Sequence, residues 1–277
     1  MFTLNCNGRL LTLNKPTVMG IINVNEDSFY VESRKTDKIS VVKAASVMLE
    51  AGAKIIDLGG QSTHPKSPRV SPQDEKIRVV TAIQDILAQY PETIISVDTY
   101  YSDVAGAAVE AGACIVNDIS AGELDKNMLS TVGSLNVPYI AMHMRGDPNT
   151  MTGLTDYEDV FLSVFDFFIK KIEACQAAGI KDIILDPGFG FAKNLRQNYY
   201  LLSRLQEFLV LEKPLLVGVS RKSMIYKSLG ITPEASLNAT TVLHTYALER
   251  GAQILRVHDV AEAVEVVRLL TLLKNNP

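Results

Sequence analysis

Ile183-Ile-Leu-Asp-Pro-Gly-Phe-Gly-Phe-Ala-Lys193 is the stretch that decides the fold. Three aliphatic residues make a short buried strand, Asp186 stands at its carboxyl end, and Pro187, Gly188 and Gly190 stop the strand and turn the chain. The arrangement recurs. Ser96-Val-Asp98, Ile115-Val-Asn-Asp118 and Leu255-Arg-Val-His-Asp259 each end an apolar run on polar groups. Polar side chains that repeat at strand ends point to one shared site.

Around these runs, strand and helix alternate along the chain. Phe2 to Leu13 alternates about Asn7-Gly8, a dipeptide that favours a type I′ hairpin turn. Strands are then expected at Val18–Asn23, Lys54–Leu58, Thr93–Asp98, Ala113–Asn117, Pro138–Met142, Asp182–Asp186, Pro214–Gly218 and Gln253–Val257. Segments with helical spacing fall between them: Ser40–Glu50, Asp74–Gln89, Ser102–Glu110, Lys126–Leu135, Tyr157–Ala178, Tyr199–Leu211 and Leu237–Arg250, with Val260–Leu273 closing the chain. Two long polar loops, after Asn23 and after Leu58, look placed to cover a site. Eight alternations with continuous β-branched strands predict an α/β fold, a TIM (β/α)8 barrel with an N-terminal β-hairpin. No linker or low-complexity segment divides residues 1–277, so a single domain is expected.

Composition bounds the function. With 277 residues, 47% of them hydrophobic, the chain can bury a large core. A net charge of -4 argues against a nucleic-acid binder, while leaving room for a local cluster that holds a small anion. Cys6, Cys114 and Cys175 are odd in number and widely spaced, which suits a reducing, cytoplasmic setting and structural roles. The first residues lack a signal-peptide pattern, and no apolar run approaches the roughly 20 residues of a membrane span. The histidines lack metal-ligand spacing such as HExxH, so a dedicated zinc site is not expected.

A barrel of this kind carries function at the carboxyl ends of its strands. That face would hold Asn23, Asp57, Asp98, Asn117, Met142, His143, Asp186, Arg221, Lys222, Arg256 and His258. Asp57 and Asp118 read as structural, as does His244 within an amphipathic helix. Asp98, Asn117 and Asp186 would repel around one mouth unless a ligand supplied donors, as the N–H and amino edge of a heteroaromatic ring would. Arg256 and His258 alternate on the last strand and Ser220-Arg-Lys-Ser223 follows the seventh, the usual phosphate position in this barrel. An anion is the expected guest.

These residues fall in blocks that resemble the dihydropteroate synthase family from Met19 to about Val267: Met19-Gly-Ile-Ile-Asn-Val24, Asp27-Ser-Phe29, Asp57-Leu-Gly-Gly60, Ser96-Val-Asp-Thr99, Asn117-Asp-Ile-Ser120, Met142-His-Met-Arg145, Asp186-Pro-Gly-Phe-Gly-Phe191, Ser220-Arg-Lys-Ser223 and Arg256-Val-His-Asp259. The resemblance implies a homodimeric, sulfonamide-targeted TIM barrel that joins 6-hydroxymethyl-7,8-dihydropterin pyrophosphate to para-aminobenzoate. It implies a pterin pocket of Asp98, Asn117, Ile119, Met142, Asp186, Phe191, Gly218 and Lys222, with Asp98, Asp186 and Lys222 taking part in catalysis. Pyrophosphate would lie against Asn23, His64, Arg256 and His258, with Mg²⁺ at Asn23. Para-aminobenzoate would meet Phe29, Thr63, Pro65, Phe191 and Ser223.

The chain departs from the family pattern in both long loops. Asn25-Glu26 stands where Thr-Pro is usual, and Gln61-Ser-Thr-His64-Pro65 where Glu-Ser-Thr-Arg-Pro is usual. Histidine for arginine replaces a permanent bidentate donor with a ring charged only below about pH 6.5. Ala192 replaces a common glycine. Two other readings share the strand-end residues: a pterin-dependent methyltransferase module, and a pterin-binding paralogue that is non-catalytic or altered in specificity.

Overall fold

The computed structural model describes residues 1–24, 34–61 and 69–275. A hairpin of β1 (Phe2–Cys6) and β2 (Arg9–Leu13) opens the chain, and both turn residues, Asn7 and Gly8, take positive φ as a type I′ turn requires. Eight parallel strands follow: β3 (Thr17–Asn23), β4 (Ile55–Gly59), β5 (Ile94–Asp98), β6 (Ile115–Asp118), β7 (Tyr139–Met142), β8 (Ile183–Asp186), β9 (Leu216–Val217) and β10 (Ile254–Val257). They pair in the order β8-β7-β6-β5-β4-β3-β10-β9, and a bridge between Leu185 and Leu215 joins the two ends into a barrel. The helices are α1 (Arg34–Glu50), α2 (Pro72–Gln89), α3 (Ser102–Glu110), α4 (Met128–Leu135), α5 (Val160–Ala177), α6 (Leu195–Ser203), α7 (Ser223–Leu229), α8 (Leu237–Glu249) and α9 (Val260–Asn275).

Strand alternation divides the core in two. Ile56, Leu58, Val97, Val116, Tyr139, Leu185, Val217 and Val257 belong to a large cluster shared with the helices. Their neighbours Met19, Ile55, Ile115, Ile140, Ile184, Leu216 and Ile254 form a second cluster inside the barrel, with Leu4, Cys6 and Leu13 of the hairpin packed against it. The hairpin therefore plugs the floor. Asn5 N–H donates to Asp182 Oδ2 at 2.7 Å, and Arg9 reaches the carbonyls of Pro91 and Thr93, each at 3.3 Å. One step up each strand, the interior turns polar. Asp57 is the register partner of Ser96, Asp98 of Asn117, and Met142 of Asp186. A dry floor of aliphatic side chains, each contributing about 2 kcal/mol by burial, thus supports an upper layer of acids, amide and cation.

Boundaries depart from the expected ones in several places, with α1 starting at Arg34 rather than Ser40 and α5 at Val160 rather than Tyr157. The seventh strand shrinks to Leu216–Val217, with Leu215 making the closing bridge while its carbonyl accepts from Gln253 and Ile254 N–H. The helix expected over Tyr199–Leu211 starts earlier because Asn194 and Gln197 form a reciprocal capping box, and it gives way to a 3₁₀ turn over Leu205–Leu211. The short helix α7 was hidden by the loop composition before it. Among the described residues no helix is long and apolar enough to cross a membrane. All three cysteines are free and buried.

Candidate active site

Arg256, on β10, organises the barrel mouth. Its Nε donates to Asp57 Oδ2 at 2.6 Å and its Nη2 to Asp98 Oδ2 at 2.5 Å. Asn117 Nδ2 donates to the same Asp57 oxygen at 3.1 Å. Burial opposes charge on the guanidinium, but the Asp57 and Asp98 carboxylates overcome it and hold its pKa above the ordinary value. Burial pushes the Asp98 carboxyl up to about 7, against the pull of Arg256 and with the push of Asp57, Asp118 and Asp186. The crowding of acids expected from the sequence is thus relieved by the protein's own cation before any ligand arrives.

Asp186 ends β8, 5% exposed, with Oδ1 accepting from Gly188 N–H at 2.8 Å. Burial raises its pKa, which Lys222 resists. Lys222 precedes α7; its Nζ donates to the Phe189 carbonyl at 2.5 Å and stands 4.8 Å from the Phe191 ring centre. Burial lowers its pKa to about 8, while Asp186 works to keep it charged. A Cβ at Gly218 would lie 3.9 Å from Lys222 Nζ and 3.8 Å from Arg256 Cβ, both ordinary contact distances, so Gly218 borders both side chains.

A cavity of about 490 Å³ opens at this face. Asn23, Asp98, Phe191, Gly218, Lys222, Ser223, Arg256 and His258 all contribute to its wall. Asn117, Ile119, Met142 and Asp186 do not; they are buried, with Ile119 and Met142 sharing an apolar cluster with Phe191, Tyr100, Met144 and Met151. Asn23 is exposed at the end of β3, and its Oδ1 would lie 3.6 Å from a Cβ added at Gly59, whose other neighbour is Asp98. Phe29, Thr63, His64 and Pro65, with Asn25 and Glu26, lie outside the described residues.

Residue parity separates the acids that looked alike in sequence. Asp118 faces the helices, accepting from Ser120 N–H, Ser120 Oγ, Gly122 N–H and the Tyr139 hydroxyl, each at 2.7 Å, and is structural as expected. Asp57 faces the barrel interior and holds two site residues. Arg221 differs from its neighbour Lys222: both oxygens of Asp259 take its guanidinium at 2.8 and 2.9 Å, so it ties loops together at the cavity's edge. His244 is buried on α8 and uncharged, burial lowering its pKa to about 4.

Lys193 was not singled out from the sequence. Its buried Nζ reaches His143 Nδ1 and the carbonyls of Gly188 and Phe191, each at 3.0 Å, and the carbonyl of His143 at 3.3 Å. Burial holds His143 well below its ordinary pKa, with Lys193 adding to the effect, so the neutral ring accepts the bond. Burial lowers the Lys193 pKa to about 7, and its amino group pins the loop carrying Phe191 to the end of β7. The same loop needs Gly188, where φ is +70° and a Cβ would stand 2.1 Å from the His143 carbonyl oxygen. Ala192 takes φ +49°, which glycine would adopt at lower cost. The available signal for Lys193 was a lysine two residues after a Gly-Phe-Gly-Phe turn.

The arrangement can grip a flat ring with acceptors and a cation while offering Arg256 and His258 to an anion. Residues 19–258 match the family model described as "Pterin binding enzyme", and the chain belongs to that family. It is 44% identical to the dihydropteroate synthase of Escherichia coli (strain K12) over 265 residues, 95% of this chain and 93% of the relative. A Yersinia pestis dihydropteroate synthase structure in complex with a sulfonamide drug superposes with a TM-score of 0.92 at 38% identity, covering 99% of this chain and 100% of that one. The Xanthomonas albilineans enzyme in complex with 7,8-dihydropteroate gives 0.87 at 35% identity, covering 99% of each chain.

Proposed function

We propose that the chain, working as one pterin-binding barrel domain, is a transferase of folate biosynthesis. It condenses 6-hydroxymethyl-7,8-dihydropterin pyrophosphate with para-aminobenzoate, giving 7,8-dihydropteroate and pyrophosphate. The observation that carries this reading is the convergence of Asp98, Asp57, Asn117 and Arg256 in one hydrogen-bonded layer above the barrel floor.

Asp186 accepts from the 2-amino and N3–H edge of the pterin, Asn117 engages the same ring, and Lys222 donates to its carbonyl and ring-nitrogen edge. Ile119, Met142, Phe191 and Gly218 wall it. The N–H groups of Arg256 left free by Asp57 and Asp98, with Asn23, His64 and His258, take the diphosphate. Phe29, Thr63, Pro65, Phe191 and Ser223 hold para-aminobenzoate. The methylene C–O bond breaks first, its electron pair leaving with pyrophosphate. The amine lone pair then forms the C–N bond and its proton passes to solvent. Ionised Asp98 stabilises the positive methylene between the two steps. No strong base is needed, because the arylamine is neutral at pH 7.

Among the described residues no cluster of His, Cys, Asp or Glu is built to hold a metal. The amide oxygen of Asn23, an exposed residue, suits Mg²⁺, a hard ion that keeps most of its waters and binds through phosphate oxygens. Bound there, it would spread the leaving group's charge. A cytoplasmic homodimer fits three reduced buried cysteines and the outward apolar residues Val242 of α8 and Leu269 and Leu273 of α9, 60%, 62% and 68% exposed.

The test supplies purified protein with Mg²⁺, the pterin pyrophosphate and para-aminobenzoate. Dihydropteroate and pyrophosphate in equal amounts are expected. Pterin binding without product would instead identify a non-catalytic paralogue, and pterin binding indifferent to the pyrophosphate group a methyltransfer module.

A further inference from the structure

Asp57 is not among the residues that wall the cavity at the barrel mouth, yet two groups assigned to the substrate converge on one of its oxygens. A carboxylate only accepts, whereas a carboxamide has one accepting and one donating end. Asn117 can therefore meet Asp57 only through Nδ2, which leaves Oδ1 as the accepting end for a ligand. Arg256 is constrained in the same way: with Nε on Asp57 and Nη2 on Asp98, Nη1 is the arm left for an anion. Asp57 is fully buried and begins from the rigid interior of β4, so neither partner can swing without breaking a charge-assisted bond in a dry setting.

We propose that Asp57 is the positioning residue of the site, fixing the hydrogen-bond polarity of Asn117 and the heading of Arg256. The inference rests on the pterin pyrophosphate reading above. Asp57→Leu is nearly isosteric but removes the one oxygen on which both bonds end. Asn117 is then free to turn a donor toward the pterin, and Arg256 to leave its heading. Asp57→Asn, by contrast, can hold its amide oxygen in the same place and accept from both groups, losing only the charge.

The experiment measures KM for each substrate, kcat, and direct calorimetric binding of the pterin pyrophosphate, with thermal melts as a folding control. Asp57→Leu is expected to raise the pterin pyrophosphate KM by about tenfold or more, with KM for para-aminobenzoate unchanged, and Asp57→Asn is expected to recover part of the pterin affinity. Asp57→Leu within twofold of wild type, roughly the scatter of such comparisons, or Asp57→Asn no better than Asp57→Leu, overturns the proposal. Should Asp57→Leu not fold, the cycle of Asp57→Asn with Asn117→Ala decides: non-additive losses are expected, and additive ones overturn it. Absence of product from the wild type, with this binding pattern intact, would defeat the catalytic reading alone.

Discussion

Arg256 Nη2 and Asp98 Oδ2 meet at 2.5 Å across the barrel mouth, although β10 and β5 are separated by β3 and β4 in the sheet. The contact gives one guanidinium two tasks, neutralising an acid and presenting its remaining N–H groups to an anion. Arg256→Gln should therefore lower kcat/KM for the pterin pyrophosphate by at least about a hundredfold, equivalent to about 3 kcal/mol for breaking a buried pair. Steady-state kinetics with each substrate varied in turn would check it. A change confined to para-aminobenzoate would place Arg256 elsewhere.

Activity and stability should respond to pH in opposite directions. Burial pushes Asp98 from its ordinary 3.8 up to about 7, so the ionised form needed by the reaction accumulates as pH rises through that value. Between 3.8 and about 7 the native state retains a proton that the unfolded chain has lost, so stability falls as pH rises across the window. Glu75, which burial also pushes up to about 7, adds to the same slope. Asp98→Asn should remove the rise in kcat and reduce the stability slope without abolishing it. Paired pH–rate and pH–melting series provide the readout.

Asp118 should behave differently, although it sits one residue from Asn117. Its four donors leave no room for an amide NH₂. Asp118→Asn is expected to cost about 2 kcal/mol of stability while the folded fraction keeps its KM values. Denaturant titration beside kinetics separates the two effects.

The eight-strand alternation was legible because a parallel sheet buried on both faces writes itself as continuous aliphatic runs. The site was legible in part for the same reason, since Asp186 and Asp98 stand where such runs stop. What could not be read was which way each strand-end side chain faces. Asp57 and Asp118 look equivalent in sequence, and only the register shows that Asp57 looks inward at Arg256 while Asp118 looks outward at Tyr139. Lys193 escaped because a lysine defaults to the surface, and its acceptors come from backbone carbonyls and from a histidine 50 residues away. The start of α6 depended on a capping box that needed Gln197 to be seen together with Asn194.

Lys193 bears on stability and on the site together. Lys193→Met removes a buried amino group and strands the carbonyls of Gly188 and Phe191, a loss of about 3 kcal/mol that should lower Tm by roughly 6–12 °C. Freed from β7, the loop should also present Phe191 less well, raising KM for both substrates. Unchanged melting would show that the four contacts are dispensable.

Asp186 offers the most direct test of the claim that this polar layer is the pterin site. Its Oδ1 is held by Gly188 N–H, so Asp186→Asn would keep that bond and turn an NH₂ toward the N–H edge of the ring, donor against donor. Calorimetric titration of wild type and Asp186→Asn with the pterin pyrophosphate in the presence of Mg²⁺ is the measurement. A fall in affinity of more than about tenfold is expected from losing a charge-assisted acceptor; equal affinities would contradict the assignment of the ring to this layer.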